Sequence, residues 1–149
     1  HALKLNSSKY LQINKNLIPT GRFKNVKKSI YDFSNFENIG KKLDYFKNKK
    51  INIKFKGFDT TFVVKKNTRK LVGTLKNNNT NIQVDFFSNL PGVQLYSAQN
   101  LNYKKKLFPY QGICLETQYF PDAPNKKNFP STLIKPNKRY TCFTKIKIS

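Results

Sequence analysis

The sequence predicts an all-β fold, an antiparallel sandwich or barrel, from three observations. Apolar and polar residues alternate at period two in short runs along most of the chain. Turn-forming residues separate those runs. Helical signal is confined to one short stretch. Alternation at period two marks a strand with one buried and one wet face, and short strands punctuated by turns pair into antiparallel sheets.

The strands follow in chain order. Leu3-Lys4-Leu5 and Tyr10-Leu11-Gln12-Ile13 alternate, as do Ile51-Asn52-Ile53-Lys54-Phe55 and Ile82-Gln83-Val84-Asp85-Phe86. Phe62-Val63-Val64 is a short apolar run, and Leu71-Val72-Gly73-Thr74-Leu75 and Val93-Gln94-Leu95-Tyr96 continue the series. The last strand spans residues 140–148. Turns are expected at Pro19-Thr20-Gly21, Lys56-Gly57, Asn77-Asn78-Asn79, Leu90-Pro91-Gly92, Pro121-Asp122-Ala123-Pro124-Asn125 and Lys135-Pro136-Asn137-Lys138. Residues 39–46 predict one short helical turn, with Ser34-Asn35-Phe36-Glu37 as a cap in which the Ser oxygen accepts an amide and the Glu reaches back.

At 149 residues the chain has the size of one ordinary domain, and no linker or internal repeat divides residues 1–149. The apolar fraction is low at 38%, but thirteen Phe and eight Tyr suffice for a core, which disordered chains lack. The first residue is His1 and the sequence contains no Met, which reads as a processed, trimmed or partial chain. No signal peptide opens it, and no apolar run approaches the ~18 residues of a membrane span. The expected compartment is the cytoplasm, with no membrane partner.

The formal charge of +22 raises a polyanion partner. The basic residues, however, are 26 Lys against 3 Arg, accompanied by 19 Asn. Base readers and phosphate clamps favour the Arg fork, whereas Lys and Asn scattered along the whole chain read as compositional drift on solvated positions. A nucleic-acid-binding module is therefore the weaker alternative, and no nucleic-acid partner is expected. Two cysteines, Cys114 and Cys142, are too few for a disulfide framework and have no Cys or His at metal spacing; they read as buried thiols in a reducing compartment.

Seven residues are acidic, and Glu116 is the one set among apolar neighbours. In a strand, Cys114, Glu116 and Gln118 share one face while Ile113, Leu115 and Thr117 take the other. Partial burial would raise the carboxyl's pKa and suit Glu116 to act as a base; an ordinary exposed strand carboxylate is the competing reading. Asp59, after Gly57-Phe58, could bind a sugar hydroxyl or be a plain turn residue. Asp122 is expected to accept local backbone amides. The sequence has no G-x-S-x-G, Walker loop, G-x-G-x-x-G or H-E-x-x-H, and a Ser-His or Cys-His pair would have to use His1, the only histidine.

Several ordered segments resemble the aldose 1-epimerase (galactose mutarotase) family. Leu17-Ile18-Pro19-Thr20-Gly21 resembles its LIPTG, and Tyr31-Asp32-Phe33 with Ile39-Gly40 its FDF stretch. Gly57-Phe58-Asp59 resembles GYDH, and Leu90-Pro91-Gly92-Val93-Gln94-Leu95-Tyr96 resembles PGxQxYT. Gly112-Ile113-Cys114-Leu115-Glu116-Thr117-Gln118, followed by Phe120-Pro121-Asp122-Ala123-Pro124-Asn125, resembles G-x-x-LETQ-x-x-PDAPN; Phe129-Pro130 and Leu133 to Pro136 complete the tail. The order and spacing of these segments cover nearly the whole chain.

The resemblance implies the C-terminal portion of a large antiparallel β-sandwich, the galactose mutarotase-like supersandwich. It implies interconversion of α and β anomers of aldoses by acid–base ring opening, with glucose or galactose as partner, no metal and no organic cofactor. Glu116 aligns with the catalytic base, and Asp59, Gln94 and Gln118 with sugar-binding positions. Thr60 stands where the family has His, a change expected to tune the pocket. The family's general-acid histidine lies upstream of residues resembling this chain, so the segment alone is expected to be inactive and its uncovered strand edges prone to aggregate. A carbohydrate-binding relative without the chemistry is the other sugar-directed reading. The expected assembly is a monomer or homodimer.

Overall fold

The computed structural model describes residues 1–48, 56–64, 70–104 and 106–149. The alternating segment at 51–55 lies outside the described residues. Among the described residues, ten strands and one α-helix, with a 3-10 turn at Ala123–Asn125, are arranged as β1 (Ala2–Leu5), β2 (Lys9–Ile13), β3 (Pro19–Asn25), β4 (Glu37–Asn38), α1 (Ile39–Asn48), β5 (Asp59–Val63), β6 (Lys70–Asn77), β7 (Ile82–Ser88), β8 (Gly92–Tyr96), β9 (Cys114–Gln118) and β10 (Thr144–Ile148). They form two five-stranded antiparallel sheets, β10-β7-β6-β1-β4 and β3-β2-β5-β8-β9. The protein is an all-β sandwich, as the sequence predicts.

Its core lies between the sheets. Leu3 and Leu5 of β1 and Val72 of β6 meet Phe62 of β5 and Val93 and Leu95 of β8, all at most 2% exposed. Phe33 and Phe58 fill the same layer edge to face, 5.3 Å between ring centroids. α1 closes one side with Ile39, Leu43 and Phe46, a spacing of four then three residues that puts all three on one helix face. Phe46 meets the Phe58 ring at 5.1 Å. No described lysine is buried, so the positive charge is on solvated positions.

Four local expectations are corrected. α1 is ten residues rather than a single turn, and its cap is Asn38, whose Oδ1 accepts the Lys41 amide at 3.0 Å. Ser34 instead donates to Asp32, and Glu37 belongs to β4, because pairing with Leu3 claims its backbone. Pro19-Thr20-Gly21 begins β3 rather than a turn. The reversal is at 14–17, where Asn14 Oδ1 accepts the amides of Asn16 (2.8 Å) and Ile18 (3.1 Å) and Leu17 takes a positive φ of 65°. Finally, the last strand starts at Thr144 rather than residue 140. Phe143 is tied by side chains: its amide donates to Asn89 Oδ1 and its carbonyl accepts from Ser88 Oγ, both at 2.8 Å.

Candidate active site

The pleat of the second sheet decides which side chains share a surface. Across β5, β8 and β9 three rows stand in register: Asp59, Tyr96 and Cys114; Thr61, Gln94 and Glu116; Val63, Gly92 and Gln118. The residues between them, among which are Thr60, Phe62, Val93, Leu95 and Leu115, point to the core side. The predicted site residues Asp59, Gln94, Glu116 and Gln118 therefore all lie on the face turned away from the core.

One hydrogen bond joins two of these rows and another lies within a row. Gln94 Nε2 donates to Asp59 Oδ1 at 2.6 Å, and Thr61 Oγ1 donates to Gln94 Oε1 at 2.5 Å. Glu116, opposite Gln94 in register, is exposed and makes no hydrogen bond or ion pair with a described residue. This corrects the expected partial burial: no wall of described residues closes over that carboxylate. Gln118 is half-buried one row further along, beside Gly92, and is not bonded to the other three.

One flank of this face carries its own small core. Leu11 of β2 packs with Phe120, Ala123 and Phe129, which belong to and follow the proline-bounded loop after β9. Phe23 of β3 adds its ring 6.0 Å from Phe120 and 5.7 Å from Phe129. Asp122 fastens the loop, but not as expected. Its carboxylate accepts from two side chains, Lys126 Nζ at 2.7 Å and Asn125 Nδ2 at 2.5 Å, rather than from backbone amides. Those donors, Lys126 foremost, hold its carboxyl below the usual 3.8.

Two further expectations change. Thr60 faces the interior beside Tyr31, 5% exposed, so it does not reach the polar face. Neither cysteine is buried: Cys114 is half-buried on the polar face and Cys142 is exposed. His1 borders a cleft with Tyr110, Gly112 and Ile113, which Glu116 does not line. Sequence reasoning passed over Thr61 and Tyr96, though period two counted from Asp59 and Gln94 places both on the polar face. Among the described residues no group of three or more His, Cys, Asp or Glu could hold a metal ion, and no helix is long and apolar enough to cross a membrane.

A family model described as Aldose 1-epimerase matches residues 1–147. Galactose mutarotase from Homo sapiens is 30% identical over the whole chain, which covers 44% of that protein. Aldose 1-epimerase from Escherichia coli K12 is 25% identical over 97% of the chain and 43% of that protein. Among solved structures, an aldose epimerase homologue from C. elegans superposes with a TM-score of 0.83 at 20% identity, over 99% of this chain and 45% of that one. The galactose 1-epimerase of Lactobacillus acidophilus NCFM does so with a TM-score of 0.73 at 22% identity, over 99% and 43%. These likenesses show the fold, and the chain spans less than half the length of the relatives it matches.

Proposed function

The chain belongs to the aldose 1-epimerase family, and from that premise we propose that it carries the base side of an aldose mutarotation site. The observation that carries this reading is the juxtaposition of Glu116, Gln94 and Asp59 on the polar face of the second sheet. Glu116 accepts the proton of the anomeric hydroxyl. The electron pair so released forms the C1 carbonyl as the bond from C1 to the ring oxygen breaks, and the ring oxygen takes a proton from an acid. Rotation about the C1–C2 bond and the reverse steps give the other anomer. Asp59 accepts a sugar hydroxyl, and the amides of Gln94 and Gln118 hold others. The partner is a small aldose such as glucose or galactose.

Ring opening needs an acid opposite the base. The only histidine, His1, lines a different cleft. We assign the acid to sequence outside these 149 residues, a reading supported by the 44% share of the relatives' length that the chain covers. Two outcomes are expected in polarimetry of freshly dissolved α-glucose or α-galactose. The 149-residue chain alone does not accelerate mutarotation above the buffer rate. In the complete protein, Glu116→Gln lowers kcat by roughly 10²- to 10⁴-fold, the worth of a positioned base, while sugar affinity stays close to that of the unsubstituted protein. Full turnover by the Gln variant would refute the assignment of the base.

A further inference from the structure

We propose that Thr61 is a positioning residue of the sugar site, acting through Gln94; this rests on the reading of the site above. Gln94 stands between two neighbours of opposite hydrogen-bonding character. An ionised Asp59 can only accept, so the amide nitrogen of Gln94 must face it, and it does, at 2.6 Å. The Gln94 oxygen is then turned the other way and requires a donor. Thr61 Oγ1 is that donor, at 2.5 Å. The hydroxyl thus anchors the oxygen end of the amide in the orientation that Asp59 selects and, through it, steadies the bond to Asp59 Oδ1. Asp59 Oδ2 and the second N–H of Gln94 remain as an acceptor and a donor for sugar hydroxyls.

Thr61 is itself held. It is 4% exposed, and its Cγ2 methyl fits a slot that exists because residue 92 is glycine. A Cβ on Gly92 would stand 3.0 Å from that methyl and 3.1 Å from the Phe120 ring. A β-branched side chain has few χ1 choices, so a methyl seated over Gly92 leaves the hydroxyl aimed at Gln94. The small core around Phe120 and Leu11 thereby supports the sugar-holding row through Gly92 and Thr61.

The test is steady-state mutarotation by the complete protein carrying Thr61→Val or Thr61→Ser. Val keeps the shape and removes the donor; Ser keeps the donor and removes the methyl. An amide held by Asp59 at one end only, its oxygen left without a donor, weakens sugar holding in the ground and transition states alike, so Thr61→Val raises KM about fivefold to tenfold, the worth of one hydrogen bond, with kcat little changed. Thr61→Ser recovers part of that loss, because the donor remains while the methyl that aims it is gone. An unchanged KM in the Val variant would overturn the proposal, and so would a Ser variant as weak as Val, because the methyl packing would then be what matters. Glu116→Gln, measured alongside, separates the two claims: retained turnover there sinks the reading of the site, whereas the Thr61 comparison is read from KM.

Discussion

Glu116 and Asp122 are six residues apart and differ in what surrounds them. Glu116 has no described partner and remains available to a ligand. Asp122 is committed to structure: it sits in the left-handed region at φ 60° and binds Lys126 and Asn125. Its carboxyl is held below 3.8 by those donors, so the folded state favours the charged form. The stability it contributes is complete above the unfolded value and is lost as pH falls through the lowered folded value. Asp32 and Asp85 are lowered in the same way, chiefly by hydrogen bonds from Ser34 and Thr74. Asp122→Asn tolerates the same backbone geometry but removes the charge. The expected result in urea denaturation is a lower midpoint at pH 7 than in the unsubstituted chain, and a shallower fall as pH drops below 3.8 toward the lowered folded value. Parallel curves for the two proteins would show that Asp122 does not contribute to the acid limb.

At the scale of elements, β1 and β6 approach so closely that one position admits no side chain. A Cβ on Gly73 would lie 2.6 Å from the Lys4 carbonyl oxygen and 2.7 Å from Leu5 Cδ2. The carbonyl belongs to the β1 ladder and cannot swing aside, so Gly73→Ala should destabilise by about 1–3 kcal/mol, the usual cost of overpacking, read as a lower urea midpoint at pH 7. A neutral or stabilising result would mean that the two strands can separate. Gly73 also lies where the β6–β7 register shifts, between Leu71 and Gly73, and no alternation pattern could announce that shift. Elsewhere the elements were legible to the degree that one local signal governed them. β1, β2, β6, β7 and β8 follow their period-two runs. α1 exceeds the single turn its sequence predicts: Ile39, Leu43 and Phe46 hold helical spacing, and the cap is Asn38, next to the first turn, rather than Ser34. β3 is hidden in the sequence because Pro19 and Gly21 read as a turn, whereas Asn14 makes the turn. For the site, the strand face of Glu116 was legible from alternation. Its pairing with Gln94 was not, because register between β8 and β9 is a long-range property of the sheet.

For the whole molecule, the inner face of the first sheet runs past the cover that the second sheet provides. One register row passes from Leu3 through Leu75 and Val84 to Ile148, and its neighbour from Leu5 through Gly73 and Phe86 to Ile146. Burial falls along both rows. Leu3 and Leu5 are 0% and 2% exposed, while Ile148 and Ile146 are 70% and 57% exposed. Among the described residues β10 is also the last strand of its sheet, so an apolar strip coincides with a sheet edge, the arrangement that invites pairing between copies. Opposing this is a formal charge of +22, whose repulsion between copies is long-ranged at low salt and screened beyond ~8 Å at physiological ionic strength. The balance predicts a salt-dependent outcome. The 149-residue chain should sediment as a monomer at low ionic strength and associate as salt is added. A chain carrying Ile146→Thr and Ile148→Thr, which keeps β-branched strand formers but removes apolar surface, should remain monomeric over the same range. Equal association by both chains in sedimentation velocity would place the contact elsewhere. Association of the unsubstituted chain that weakened with salt would show that charge pairing, and not the apolar strip of β10, joins the copies.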